Sequence, residues 1–353
     1  MRYYRYKGSS MVICFLDASK AFDRVNHELL FKKIFEHNVP FYIVRILIVW
    51  YTEQTCFVRW GTVLSKSFCV TNGVRQGGLL SPKLFNIYMN DLSVELNSVP
   101  IGCTIDQIYN HLMYADDLAV FAPSAIGLQK LLKICDQFGV KNDILYNAKK
   151  SAVLIVRADE DIDLVFPSFY LNNKIISKLA TVKYLGHIFT EKLSDDDDIL
   201  RQRRYLYIRG NILKRKFSLC SIATKVELFK SYCTQMYTPH LWCSFNMTTM
   251  KSLTTAYNQT FRGLMGIPSF CSASQMFAMS NIVSCQALLR NSIYNFMYRI
   301  KETKNIIVQS ILNSDMRFTS ALQIHWRNLL YTVSIGSWFC KLYMDLYYVF
   351  CLK

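Results

Sequence analysis

The twelve cysteines of this 353-residue chain include no Cys-x-x-Cys pair and no Cys/His cluster at zinc spacing. That excludes the common structural zinc modules and a disulfide framework of the secreted kind, and it reads as reduced, buried thiols of an intracellular protein, with nucleus and cytoplasm not distinguished. Unbroken apolar runs are also missing. Phe41 to Tyr51 is interrupted by Arg45, and Leu329 to Cys351 by Lys341 and Asp345, so neither has the roughly 20 residues a membrane span needs. Met1 to Lys7 is basic and tyrosine-rich rather than a secretory leader, and neither an internal repeat nor a low-complexity linker is found. Acidic residues are scarce, 25 against 41 Lys and Arg, for a formal charge of +16. Such a chain expects a polyanionic partner, and with no membrane segment that partner is nucleic acid. A hydrophobic content of 52 % argues for globular units with real cores.

Against this scarcity, the run His111-Leu112-Met113-Tyr114-Ala115-Asp116-Asp117-Leu118-Ala119-Val120-Phe121 stands out. Two adjacent carboxylates sit among strand formers, where ionised groups are costly unless a cation neutralises them. Neighbouring side chains on a flat strand point to opposite faces, so the pair converges on one site only if the chain turns there. We therefore expect two short strands with the acidic pair at the bend. A polar turn with both Asp in water is the plainer alternative for an isolated pair.

Upstream, Val12 to Leu16 reads as a buried strand ending in Asp17, a natural position for a ligand. Asn26 is placed to cap a helix to about Glu36, with Leu29, Leu30, Ile34 and Phe35 on its buried side, and Pro40 separates it from a second helix, Phe41 to Tyr51. Thr55 to Val70 reads as a hairpin around Gly61. In Asn72-Gly73-Val74-Arg75-Gln76-Gly77-Gly78-Leu79-Leu80-Ser81-Pro82, Ser81 is expected to cap a helix with Pro82 at its first position. The glycines admit close approach of a backbone or nucleotide, while Arg75 and Gln76 supply donors. Ala125 to Phe138 is a further amphipathic helix and Ala152 to Val156 a further strand, and Val182 to Phe189 is expected to pair with Asn172 to Ser177. The order from Val12 to Val156 fits an α+β, split βαβ (ferredoxin-like) antiparallel sheet with helices on one face. Asp17 and the Asp116/Asp117 bend then lie on neighbouring central strands.

The run Asp195 to Asp198 reads as a solvated helix N-terminus without function. From Arg201 to Phe217 the chain is helical and basic, with Arg201, Arg203, Arg204, Arg209, Lys214, Arg215 and Lys216. The excess has no acidic partners within the stretch, so it reads as a phosphate-tracking surface, with a solvated helix face as the default alternative. Thr224 to Met236, Thr248 to Leu264 and Gln286 to Glu302 read as successive helices.

Phe15-Leu16-Asp17-Ala18-Ser19-Lys20-Ala21-Phe22-Asp23, Gly73 to Pro82, and Tyr114-Ala115-Asp116-Asp117 resemble, in that order, three motifs of the reverse transcriptases of non-LTR (LINE-type) retrotransposons. Asn147-Ala148-Lys149-Lys150-Ser151 and Tyr184-Leu185-Gly186 are similar to the two motifs that follow, so the resemblance spans roughly residues 10 to 190. It implies a polymerase palm with a remnant of fingers over 1–192, a helical thumb and connection over 193–300, and a C-terminal segment of unknown role over 301–353. It also implies RNA-directed DNA synthesis with two Mg²⁺ ions (Mn²⁺ as the substitute), an RNA template, a DNA primer and dNTPs. Asp17, Asp116 and Asp117 would be the metal carboxylates, and Lys150, with Lys149 as the close alternative, would assist the leaving pyrophosphate. Phe22 would gate the ribose 2′-hydroxyl, and Arg75, Gln76, Gly77 and Tyr114 would lie along the substrate. Asp23 is typical of the motif or simply starts a helix. A basic fingers region precedes the first motif in the family, and here only Met1 to Met11 do, so the chain reads as an N-terminally truncated fragment. The alternative function is a catalytically inactive, nucleic-acid-binding remnant; nothing in the sequence sets the oligomeric state.

Overall fold

The computed structural model describes residues 1–158, 165–314 and 321–331; most of the hydrophobic tail, 332–353, lies outside the described residues. The chain divides into two compact units, Met1 with Tyr3–Tyr184, and Arg2 with Leu185 onward.

The first unit is built on β1 (Met11–Leu16), all six of whose residues are buried. Helices α1 (His27–Glu36), α2 (Phe41–Thr52) and α3 (Ser81–Asn97) follow, then β2 (His111–Tyr114), β3 (Asp117–Ala122), α4 (Ala125–Lys141) and β4 (Ala152–Val156). β1 is flanked by β3 and β4, and β3 by β2, all antiparallel. This is the split βαβ order that the strand and helix pattern predicts. Val12, Cys14 and Leu16 alternate onto one face of β1 and pack with Leu118 and Val120 of β3, Val153 of β4 and the apolar sides of α1, α3 and α4.

Asn26 caps α1, its side chain accepting from the Leu29 N–H at 3.1 Å, as expected. The buried face of α1 is less apolar than expected. Phe35 is 61 % exposed, while Lys33 is buried, paired with Asp91 at 2.7 Å and donating to the Tyr88 carbonyl at 2.9 Å. Its ammonium lies 5.1 and 5.0 Å from the ring centres of Tyr88 and Phe138, so a buried charge is met by a carboxylate, a carbonyl and two π faces. Ser81 is the first residue of α3 rather than its cap. The capping position falls to Leu80, which has no side-chain oxygen, and the Ser81 hydroxyl is engaged with that of Tyr51. Between α2 and α3, residues 55–69 form a ribbon of two-residue strands whose Phe57, Trp60 and Leu64 are exposed.

β5 (Phe169–Leu171), β6 (Lys174–Lys178) and β7 (Thr181–Tyr184) complete the first unit. The expected pairing of 172–177 with the 182–189 stretch is corrected. β6 pairs antiparallel with β5 and parallel with β4, extending the central sheet to six strands. A tight turn at Asn172 and Asn173, both at positive φ, folds β6 back on β5, a conformation asparagine tolerates better than most residues.

The second unit contains α5 (Asp196–Lys216), α6 (Ile222–Cys233), α7 (Met247–Met265), α8 (Ala273–Met279), α9 (Cys285–Glu302), α10 (Ile306–Asn313) and α11 (Ala321–Tyr331). α5 and α7 run side by side in the same direction. Asp196 accepts from the Asn246 N–H at 2.9 Å, Tyr207 donates to Gln259 Oε1 at 2.9 Å, and Gly210 lies against Thr260 with no room for a Cβ.

Here the acidic run departs from the solvated face expected of it. Asp197 is exposed, but Asp195 is 5 % and Asp198 0 % exposed. Asp198 accepts from Trp242 Nε1 at 2.8 Å, the Ile188 N–H at 3.2 Å and the Arg201 guanidinium at 2.5 Å. Asp195 accepts from the Cys243 and Ser244 N–H groups at 2.8 Å and from Arg2 at 3.2 Å. Burial pushes the Asp195 carboxyl up, but His187, those two N–H groups and Arg2 outweigh it and hold it below the ordinary range.

All ten described cysteines are free; Cys14, Cys103, Cys135, Cys233 and Cys285 are buried and Cys69 is exposed. No described helix is long and apolar enough to cross a membrane.

Candidate active site

Asp17 follows the last residue of β1, and its main chain is fixed on both sides. Its N–H donates to Ser151 Oγ at 3.1 Å, and its carbonyl accepts from the Asn147 N–H at 2.8 Å. The turn 147–151 is thereby bonded directly to the carboxylate-bearing strand end.

Tyr114 and Asp117 face each other across β2 and β3, leaving Ala115 and Asp116 as the two residues of the hairpin turn. Ala115 has φ 54°, a region that costs a residue bearing a Cβ about 1–2 kcal/mol. Non-glycine backbone held there marks a position over-determined by its surroundings. The Leu16–Leu118 pairing of β1 and β3 puts Asp17 beside Asp117. The Asp117 carboxyl is raised above its ordinary value by burial and then by the negative charges of Asp116 and Asp17. No Lys or Arg forms an ion pair with any of the three among the described residues. A carboxyl that faces two like charges without an ion-pair partner among the described residues is a setting that a hard cation would relieve.

Nevertheless, no three His, Cys, Asp or Glu side chains among the described residues form a ready-made ion cage. The strand register fixes the backbone that presents these carboxylates, and Asp116 and Asp117 are exposed at the strand end. The donor set fits Mg²⁺, a hard ion commonly held by one or two carboxylates plus water and substrate phosphates.

The glycine-rich turn is joined to the segment after Asp17. The Gly73 and Val74 N–H groups donate to the carbonyls of Val25 and Phe22 at 2.8 Å, and the Gln76 amide donates to Asp23 Oδ1 at 3.3 Å. Gly73 is obligatory: φ is 91°, and a Cβ would stand 2.9 Å from the Asp23 main chain. Gly77, at φ 82°, faces open space. Phe22 is half-buried with its ring stacked on Phe85 at 4.5 Å. Arg75 turns toward α2, lying 5.4 Å from the Trp50 ring centre and donating to Gln54 Oε1 at 3.0 Å. Tyr114, Lys149 and Lys150 are exposed.

In the second unit, two of the seven basic residues on α5 are engaged within the fold. Arg201 is bound to Asp198, and Arg209 donates to the carbonyls of Tyr232 in the last turn of α6 and of Gln235 just past it. Arg203 is half-buried; Arg204, Lys214, Arg215 and Lys216 are exposed.

Sequence reasoning missed the Ser151 hydroxyl beneath Asp17 and the Gln76–Asp23 link, both within stretches already singled out. It also missed a contact from Tyr184, whose hydroxyl donates to the Asp117 main-chain carbonyl at 3.2 Å.

A split βαβ sheet with carboxylates at the ends of adjacent central strands is a layout on which two-metal nucleotidyl transfer can be built. The profile of the reverse transcriptase (RNA-dependent DNA polymerase) family matches residues 2–189, and the chain belongs to that family. Its relatives are polyproteins of non-LTR retrotransposons. It is 30 % identical over 186 residues to the retrovirus-related Pol polyprotein from the type-1 retrotransposable element R2 of Popillia japonica, covering 49 % of this chain and 26 % of that protein. It is 31 % identical over 237 residues to the RNA-directed DNA polymerase from the mobile element jockey of Drosophila funebris, covering 64 % and 24 %. The chain thus spans about a quarter of the length of these relatives. Among solved structures it is similar to apo telomerase from Candida tropicalis, with 13 % identity and a TM-score of 0.43 over 88 % of this chain and 55 % of that one, a likeness too distant to carry an argument.

Proposed function

We propose that the chain is the RNA-directed DNA polymerase domain of a non-LTR retroelement protein, adding dNTPs to a DNA primer on an RNA template. On this reading residues 1–192 are the palm with a remnant of fingers, 193–300 the thumb and connection, and 301–353 a segment without an assigned role. The observation that carries it is the strand register that sets Asp17 beside Asp117, one step past the Leu16–Leu118 pair, with Asp116 in the turn and no Lys or Arg ion-paired to any of the three among the described residues.

Asp17, Asp116 and Asp117 would hold two Mg²⁺ ions, or Mn²⁺ in their place, which lower the pKa of the attacking hydroxyl and stabilise the leaving oxygen when bound. Deoxynucleotide choice falls to Phe22, whose place against Phe85 at 4.5 Å gives its ring a fixed position. Gln76, tied to Asp23, and Gly77 and Tyr114 line the path of template and nascent pair, with Arg75 bracing the turn from α2. Lys150, or Lys149 beside it, donates to the departing pyrophosphate from the turn bonded to Asp17. Arg204, Lys214, Arg215 and Lys216 offer phosphate contacts, joined at the helix edge by Arg203. Arg201 and Arg209 shape that surface through the bonds they make inside it.

A second reading, a nucleic-acid-binding protein without chemistry, is favoured by the absence of a gathered carboxylate cage among the described residues. Primer extension on an RNA template with Mg²⁺ separates the two. Extension by the wild type and none by Asp116→Asn supports the polymerase; RNA binding with no extension by either selects the second reading.

A further inference from the structure

Tyr184-Leu185-Gly186 is the one motif singled out in the sequence that the catalytic reading leaves without work. Tyr184 ends β7, half-buried. Its ring lies against Phe15 with centroids 4.8 Å apart at 44°. Phe15 is two residues before Asp17 and is paired with Ala119 of β3 and Ala152 of β4. The Tyr184 hydroxyl reaches the Asp117 main-chain carbonyl at 3.2 Å. One side chain thus touches both strands that present the carboxylates.

We propose that Tyr184 is a positioning residue whose hydroxyl, given to the Asp117 carbonyl, and ring, laid on Phe15, hold the strained Ala115–Asp116 turn against the strand bearing Asp17. The inference rests on the polymerase reading for its functional consequence, but the clamp itself does not depend on catalysis. Within the turn Asp116 is exposed and Ala115 sits in a disfavoured backbone region, so its conformation depends on what fixes the strand ends on either side. Without the hydroxyl, the separation of Asp17 from Asp117 is set by the β1–β3 ladder alone. The three carboxylates then lose part of their preorganisation for metal.

Two measurements on Tyr184→Phe, which keeps the ring and deletes the donor, test this. In the metal-free full chain, amide hydrogen exchange over 112–120 is expected to accelerate about two- to tenfold, the equilibrium worth of one hydrogen bond, with exchange across α4 and β4 unchanged. In primer extension, the Mg²⁺ concentration for half-maximal rate is expected to rise by about the same factor and kcat to fall, with the KM for dNTP within about twofold of wild type. Phe15→Leu, which takes away the ring's support and leaves the hydroxyl, should move both readouts in the same direction.

Exchange and metal dependence both within about twofold of wild type in Tyr184→Phe would overturn the proposal. So would a raised KM for dNTP at unchanged metal dependence, which would make Tyr184 a substrate contact. If the wild type shows no extension at any Mg²⁺ or Mn²⁺ concentration, the polymerase reading fails, and the exchange measurement alone still decides whether the clamp exists.

Discussion

Asp198→Ala removes the most enclosed carboxylate described in the chain, and its cost follows from what is left behind. Trp242, 1 % exposed, loses the acceptor of its indole N–H at 2.8 Å, and the Arg201 guanidinium loses its counter-charge. The Ile188 N–H at 3.2 Å is orphaned, and His187 loses the carboxylate 3.4 Å from its Nδ1. Breaking a buried, hydrogen-bonded ion pair from one side typically costs about 3–5 kcal/mol, and we expect that range for the unfolding of the second unit. Asp198→Asn keeps an acceptor oxygen and should cost about half as much. Urea unfolding followed by far-UV circular dichroism and tryptophan fluorescence reads the effect as a midpoint shift of about 1–5 M, given slopes of about 1–3 kcal/mol per M. Asp197→Ala, one residue away and exposed on the first turn of α5, is the control; it forfeits at most a helix-dipole contribution below about 1 kcal/mol. Equal shifts for the two variants, or a shift below about 1 kcal/mol for Asp198→Ala, would refute the reasoning.

Gly73→Ala should destabilise the first unit by about 3 kcal/mol or more, since a Cβ meets the Asp23 backbone at 2.9 Å and φ is 91°; thermal unfolding measures this, and Gly77→Ala, strained but with open space around it, should cost less. The second unit should lose stability on mild acidification through His240. Burial first, then the positive charges of Arg299 and His187, lower its imidazole from 6.5 to about 4. The unfolded chain therefore takes up a proton below about pH 6.5 that the folded form refuses until about pH 4, and stability falls as pH drops through that window. The ring is half-exposed, so we expect about 1–2 kcal/mol rather than the full worth of the shift. His240→Gln should flatten the pH dependence between 6.5 and 4 in denaturant titrations, and an unchanged slope would contradict it. Asp195, depressed below the ordinary carboxylate range, acts in a lower window: its contribution is complete above about pH 4 and fades only as pH falls through its own lowered pKa.

What could be read in advance was what neighbours in sequence decide. β1 and β4 were legible as short apolar runs closed by polar residues, and the Tyr114–Asp117 bend because two carboxylates cannot share a face without a turn. Asn26 was legible as a cap because its oxygen bonds three residues ahead. Contacts made at long range escaped. Four consecutive Asp look solvated until Trp242, 44 residues on, is seen to donate to one of them. The parallel pairing of β6 with β4 and the hydroxyl of Tyr184 on Asp117, 67 residues apart, carry no local signal. The contacts of Arg75 with Trp50 on α2 and with Gln54 just past its end carry no local signal either.

The central claim is that Asp17, Asp116 and Asp117 form one metal-dependent catalytic centre, and the most direct measurement is made on Asp17→Asn. Primer extension on an RNA template with Mg²⁺ and the affinity for the same primer–template should be determined on one preparation, beside wild type. On this account Asp17 would supply charge to the metals rather than bind the phosphate backbone, so extension should fall about a thousandfold or more, the several kcal/mol a metal clamp supplies. Affinity should stay within about threefold, since exposed Lys and Arg carry it. Extension within tenfold of wild type, or affinity lost in step with extension, would contradict the assignment.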